Sequence, residues 1–181
     1  MKTYIALLRG INVSGHKLIK MELLRNVLHE LDFKNISTYI QSGNILFQSD
    51  IDDKAKLGHQ ISGIIVKHFG FDVPVTVVTP DELRKIIKDN PYAGQKIEDP
   101  AQPYVAFLSE APTVHALDLF KVIDFKNDTF ITIDKTMYLF YADSAGNTKL
   151  SNAIIESKLK LKATTRNWKT INKLIELSEA I

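Results

Sequence analysis

The residues that could do chemistry sit in two polar, glycine-marked stretches: Leu8-Arg9-Gly10-Ile11-Asn12-Val13-Ser14-Gly15-His16 near the start and Thr164-Thr165-Arg166-Asn167-Trp168 near the end. Each supplies an arginine, an asparagine and small or hydroxyl residues, and each is expected just ahead of a helix, where unpaired N–H groups favour an anion. Neither brings an evident base, nucleophile or metal-ligand set. The pattern therefore points to binding and leaves the reaction, if there is one, undefined.

In the first stretch, Gly10, Gly15 and Lys17 approach the phosphate-loop spacing of two glycines followed by lysine and a hydroxyl residue. His16 intervenes before Lys17, and Leu18 stands where Ser or Thr would reach magnesium, so a nucleotide-hydrolysing loop is disfavoured. A looser reading has backbone N–H groups from Ser14 and Gly15 holding a phosphate or carboxylate, with Arg9, His16 and Lys17 beside them. The competing reading is conformational: the glycines satisfy unusual backbone angles and Asn12 caps a turn.

Gln41-Ser42-Gly43-Asn44 makes a hairpin connection, with Gly43 and Asn44 tolerating positive φ. A ligand role for these four residues is the lesser reading. In the last stretch Asn167 is expected to cap the final helix and Arg166 to offer a fork-shaped cation, with Lys149 close in sequence. Against that, Arg166 would simply pair with a carboxylate and Trp168 would pack in the core. The five histidines show no metal-binding spacing, and the absence of cysteine removes disulfides and thiolate chemistry. No cofactor is expected.

These segments must be positioned by ordinary soluble structure: 45% of the residues are hydrophobic and 24% charged, and no apolar run is long enough to span a bilayer. A cytoplasmic protein without a membrane partner is expected. The net charge of +2 does not by itself imply nucleic-acid binding. Charge is uneven, however: residues 81–120 hold four basic and seven acidic side chains, whereas residues 149–181 hold seven basic and three acidic.

Periodicity predicts a strand at 3–9, a helix at 21–31 with Met21, Leu24, Val27, Leu28 and Leu31 on one face, strands at 36–40 and 45–48, a helix from Asp52-Asp53 to Gly70, and a strand at 73–79. The order βαββαβ is a ferredoxin-like unit. After a linker helix opening at Thr79-Pro80-Asp81 the plan repeats through a strand at 104–108, a helix at 112–120, a hairpin at 128–141 and a helix at 151–161, although its last strand is hard to find. A final helix carries Trp168, Ile171, Leu174, Ile175 and Leu177. Ile5, Ala6, Leu7 and Leu8 are apolar in succession, as in a strand covered on both faces, which argues against an open RNA-reading sheet. Such a sheet would also need stacking aromatics that the first and third strands lack.

Three separated motifs, Leu7-Leu8-Arg9-Gly10-Ile11-Asn12-Val13, the stretch from Thr38 to Phe47, and Thr165-Arg166-Asn167-Trp168, resemble the bacterial domain-of-unknown-function family 1697, and the resemblance spans essentially the whole chain. It implies a two-part, ferredoxin-like fold and a bacterial cytoplasmic protein, but no activity. The family pattern has a second glycine where this chain has Ser14, and a proline before the first helix where it has Lys20.

The sequence thus predicts an α+β fold of two ferredoxin-like subdomains in pseudo-repeat with an added C-terminal helix, divided into residues 1–79 and 80–181. Its expected role is that of a non-catalytic binding protein, monomer or homodimer, accepting an anionic small molecule or nucleic acid in a cleft between subdomains. One alternative is an enzyme acting on a phosphorylated or carboxylated substrate, with His16 carrying a proton and Arg166 stabilising charge. Another is a protein-interaction module.

Overall fold

Apolar residues at helical or alternating spacing place the elements close to where the sequence predicts them. In the computed structural model, which describes every residue except Ser14, Gln95, Lys96 and Pro100, β1 (Lys2–Leu8), α1 (Met21–Leu28), β2 (Lys34–Tyr39), β3 (Asn44–Ser49), α2 (Lys54–Phe69) and β4 (Val75–Val78) form the first βαββαβ series. After α3 (Pro80–Lys88), the series repeats as β5 (Tyr104–Leu108), α4 (Val114–Lys121), β6 (Thr129–Ile133), β7 (Thr136–Phe140), α5 (Asn152–Leu159) and β8 (Ala163–Asn167), and α6 (Trp168–Ser178) closes the chain. The sheets are ordered β2-β3-β1-β4 and β6-β7-β5-β8, the same topology twice, and every pairing is antiparallel. The fold is α+β with a ferredoxin-like pseudo-repeat.

The missing strand of the second repeat is β8, which occupies the polar motif itself. It pairs only with β5, from Leu108↔Ala163 to Tyr104↔Asn167. An edge strand with one neighbour needs no strong apolar alternation, so Thr164-Thr165-Arg166-Asn167 reads as a loop in sequence and becomes a strand only when β5 is beside it. The motif does lead straight into α6, as expected. The first motif does not reach its helix directly, because Leu18, Ile19 and Lys20 intervene before α1.

The chain divides into two compact units, one of residues 1–85 with 173–181 and the other of residues 86–172. The division lies inside α3, between Lys85 and Ile86, and not ahead of it at 79/80, and the last residues of α6 return to the first unit, where Glu179 pairs with Arg84 at 3.1 Å. Within the first unit, Tyr4, Ala6, Leu8, Ile45, Phe47 and Val77 face α1 and α2 in one apolar cluster. On the opposite face Ile5, Leu7 and Leu46 are also fully buried. Both faces of the central strands are thus excluded from water, which removes the open sheet surface that base-stacking modules use. In the second unit Ala106, Leu108, Met137, Leu139 and Ala163 pack with Phe120 and Ile155 of the helices.

Except at α1, the helices start where hydrogen-bonding side chains stop the N–H ends from going unpaired. Asp53 caps α2 through Ala55 and Lys56, Thr113 caps α4 through Ala116, and Ser151 caps α5 through Ile154. At α3 the arrangement is reciprocal: the Glu82 N–H donates to the Thr79 hydroxyl at 3.2 Å and the Thr79 N–H donates to the Glu82 carboxylate at 2.8 Å. Lys54 also pairs with Glu82. Burial works to raise the Glu82 pKa, but the bonds from Lys54 and Thr79 outweigh it and hold the carboxyl below its ordinary value.

Candidate functional site

The loop after β1 is built around one side chain. Asn12 sits at φ 54°, a left-handed conformation that asparagine tolerates. Its Oδ1 accepts the Ile19 N–H at 2.8 Å, and its Nδ2 donates to the Ile19 carbonyl at 3.0 Å and to the Gln41 carbonyl at 2.8 Å. One amide therefore ties the loop to the residues that enter α1 and to the β2–β3 connection. Within the loop, the Asn12 N–H donates to the Lys17 carbonyl at 3.2 Å and the His16 N–H to the Val13 carbonyl at 2.9 Å. The Lys17 ammonium donates to the Asp72 carbonyl at 2.5 Å.

Gly43 is required by space as well as by angle. At φ 81°, a Cβ there would lie 2.7 Å from both Leu8 Cβ and Ile11 Cδ1, closer than packed carbons approach. The Gly43 carbonyl accepts the Leu8 N–H at 2.8 Å. Beside it, Asn44 is fully buried, donating to the Tyr39 carbonyl at 2.9 Å and the Ser42 hydroxyl at 3.2 Å. Positive φ in this connection falls on Ile40 and Gly43 rather than on Gly43 and Asn44. For a β-branched residue, φ 51° is a strained conformation, and Ile40 keeps it while 48% exposed.

The structure thus brings Arg9, Asn12, Gly15, His16 and Lys17 together with Gln41, Ser42, Gly43 and Asn44 at one end of the first sheet. Asn12, Gly43 and Asn44 are committed to holding that end together. Gly15, His16, Lys17, Gln41 and Ser42 lie on its exposed side, with the apolar Val13, Leu18 and Ile40 among them. Ser14 lies outside the described residues.

In the second unit, Arg166 lies on the face of β8 opposite the helices, in register with Val105. It is only 8% exposed, its guanidinium donates to the Thr165 carbonyl at 2.9 Å, and burial lowers its pKa to about 10, which leaves it charged at neutral pH. Asn167 Oδ1 accepts the Thr170 N–H at 2.8 Å, the capping role expected of it. Trp168 is half-buried and donates its backbone N–H to the Ala101 carbonyl at 2.9 Å. The buried stripe of α6 is Thr170, Ile171, Leu174 and Ser178. Lys149 is exposed in the loop before α5. His16 and Arg166, the two residues that the enzyme reading pairs, belong to different units.

A feature that the motif analysis did not single out is a groove of about 610 Å³ between α4 and the edge strand β6, lined by Leu117, Lys121, Ile123, Phe125, Phe130 and Thr132 among others. Its sequence signal is the run Thr129-Phe130-Ile131-Thr132-Ile133, which is apolar or β-branched at every position although the strand has only one neighbour. Among the described residues, no group of three or more His, Asp or Glu side chains could hold a metal ion, and no helix is long and apolar enough to cross a membrane.

Residues 1–138 match the model of a family described as a protein of unknown function, DUF1697, and the chain belongs to that family. The match takes in the clasped loop and the Gln41–Asn44 connection and ends before the Arg166 motif. A solved structure, that of the conserved bacterial protein SP0830 from Streptococcus pneumoniae, is similar over 97% of this chain and 98% of its own, with a TM-score of 0.69 and 21% identity. That likeness concerns the fold. No curated protein matches the sequence.

Proposed function

We propose that the protein is a non-catalytic binding protein of the bacterial cytoplasm that accepts an anionic group on the exposed side of the clasped loop. The supporting observation is the Asn12 clasp. It ties the start of the loop to Ile19 and Gln41, so that the exposed His16 and Lys17 lie between anchored residues, with the Lys17 ammonium resting on the Asp72 carbonyl. Arg9 and Gln41 flank them. The clasp favours a phosphorylated or carboxylated small molecule over nucleic acid, because the central strands of the first sheet are buried on both faces and the chain's net charge is only +2. Arg166 and Asn167 have less support as ligand contacts, one being buried and the other occupied as a cap.

Thermal unfolding tests this reading, with the parent, Lys17→Ala and Arg9→Ala each mixed with nucleotides, sugar phosphates, dicarboxylates and short nucleic acids. A ligand at about a hundred times its dissociation constant adds about 2.7 kcal/mol to native stability. The expected result is a shift from one ligand class in the parent that shrinks in both variants. If no class shifts the parent, or if the variants shift as the parent does, the reading falls.

A further inference from the structure

The two sheets treat their open edges differently. β2, the outer strand of the first sheet, has a register irregularity between Lys34 and Ser37 and places Asn35 at φ 50°, which discourages another strand from adding. β6, the corresponding strand of the second sheet, pairs with β7 without a shift from Thr129↔Phe140 to Ile133↔Thr136. Because Asp134 and Lys135 form a two-residue hairpin, Thr129, Ile131 and Ile133 exchange bonds with β7, and Phe130 and Thr132 turn their N–H and C=O groups to the open side. Ile131 and Ile133 are 40% and 37% exposed, and the hydroxyl of Thr132, a lining residue of the α4–β6 groove, is buried without a hydrogen-bond partner. On α4, Val114 and Leu119 are exposed as well, as is Val122 just past its end.

We propose that a second copy of this chain docks here, its β6 adding antiparallel to β6 across a two-fold axis at Ile131. The strand is complementary to itself in that register. Phe130 meets Thr132 of the copy, so that the two residues with outward backbone groups face each other and four N–H to C=O bonds form across the axis. Ile131 meets its own copy, and Ile133 meets Thr129, covering the exposed isoleucines with apolar or β-branched partners. The strand ends carry Lys126 and Asp128 at one side and Asp134 and Lys135 at the other. Two-fold pairing sets these sides against each other with no net charge. In this register Asp128 lies opposite Asp134 of the copy; the Asp128 carboxylate is already held by the Ala142 N–H at 2.8 Å and by the Thr148 hydroxyl, and Lys126 and the copy's Lys135 flank the pair.

Sedimentation equilibrium of the full chain, carried to its solubility limit, tests the proposal. The parent is expected to show a monomer–dimer equilibrium. Ile131→Lys, which sets two ammonium groups face to face, should weaken it by about tenfold or more without moving the melting point of the dilute protein. Thr132→Pro removes an outward N–H that β7 does not use and should act likewise. Should that variant fail to fold, amide exchange at Phe130 and Thr132 in the parent must slow as concentration rises. A parent that stays monomeric, which would leave the edge for a different chain, overturns the proposal. So does a dimer indifferent to Ile131→Lys, or amide exchange that concentration does not change.

Discussion

The two units share a topology and part company at the same point of it. In the first, the connection from β1 to α1 runs through residues 9–20 and is held by the Asn12 amide, while Lys20, at the N-cap of α1, makes no side-chain cap bond. In the second, the connection from β5 to α4 takes only residues 109–113, and the Thr113 hydroxyl caps the helix directly. A short connection needs one local bond. A long one needs a fastening that reaches across the sheet end, and Asn12 supplies it by bonding to Ile19 on one side and Gln41 on the other. The edges differ in the opposite sense, since the first unit bends its outer strand and the second leaves it straight. The repeat therefore separates its tasks: elaborated loop with blunted edge in one unit, plain loop with open edge in the other.

The contrast breaks most sharply at Gly43. Gly43→Ala forces a Cβ against Leu8 and Ile11 at a positive φ and is expected to destabilise the protein by about 3 kcal/mol in chemical denaturation. Gly10→Ala, also at positive φ but with nothing within 4 Å of its Cβ, should cost only about 1 kcal/mol. Equal losses at the two positions would mean that backbone angle alone, and not the close approach to Ile11, holds the loop end.

A smaller effect distinguishes the long connection from the short one. Asn12→Ala removes three hydrogen bonds to the backbone and leaves the Ile19 and Gln41 backbone groups to find water, a loss of about 2 kcal/mol. Thr113→Ala removes a single cap bond, about 1 kcal/mol. Amide hydrogen exchange should show the first loss spread over residues 8–20 and 40–44 and the second confined to the first turn of α4. A local effect of Asn12→Ala would show that it caps a turn and fastens nothing.

The smallest expected effect depends on pH. The Glu82 carboxyl has its pKa lowered in the folded chain, so its contribution is complete above the ordinary carboxylate value and is lost as pH falls through the lowered one. Glu82→Gln should therefore cost about 0.5 kcal/mol at neutral pH, a modest figure because nearly half of the side chain meets solvent, and the difference should close in acid. The Thr113 cap carries no charge, and the cost of Thr113→Ala should not change over the same range. A Glu82→Gln cost that is constant with pH would remove the ionic part of the α3 cap.

The order of elements was legible from the sequence because it rests on local periodicity: Met21, Leu24 and Leu28 at helical spacing, and apolar runs such as Tyr104–Leu108 bounded by polar turns. The doubled βαββαβ plan followed from that order, and burial of both faces of β1 followed from its unbroken apolar run. The polar motifs were legible as unusual, because glycines and asparagines between strands and helices mark departures from regular backbone. Tertiary structure decided what they do. Whether Thr164–Asn167 is loop or strand depends on β5, which lies about sixty residues earlier and supplies its hydrogen bonds. Whether Asn12 caps a turn or joins three segments depends on Gln41 lying within 2.8 Å of its amide, and whether Gly43 is needed for its angle or its size depends on Ile11. The sequence offers Arg166 as a fork-shaped cation, and only the folded chain shows it buried. The local pattern of a sequence sets which backbone states are favourable, but a hydrogen bond or a steric contact between distant segments exists only once the chain has brought them together.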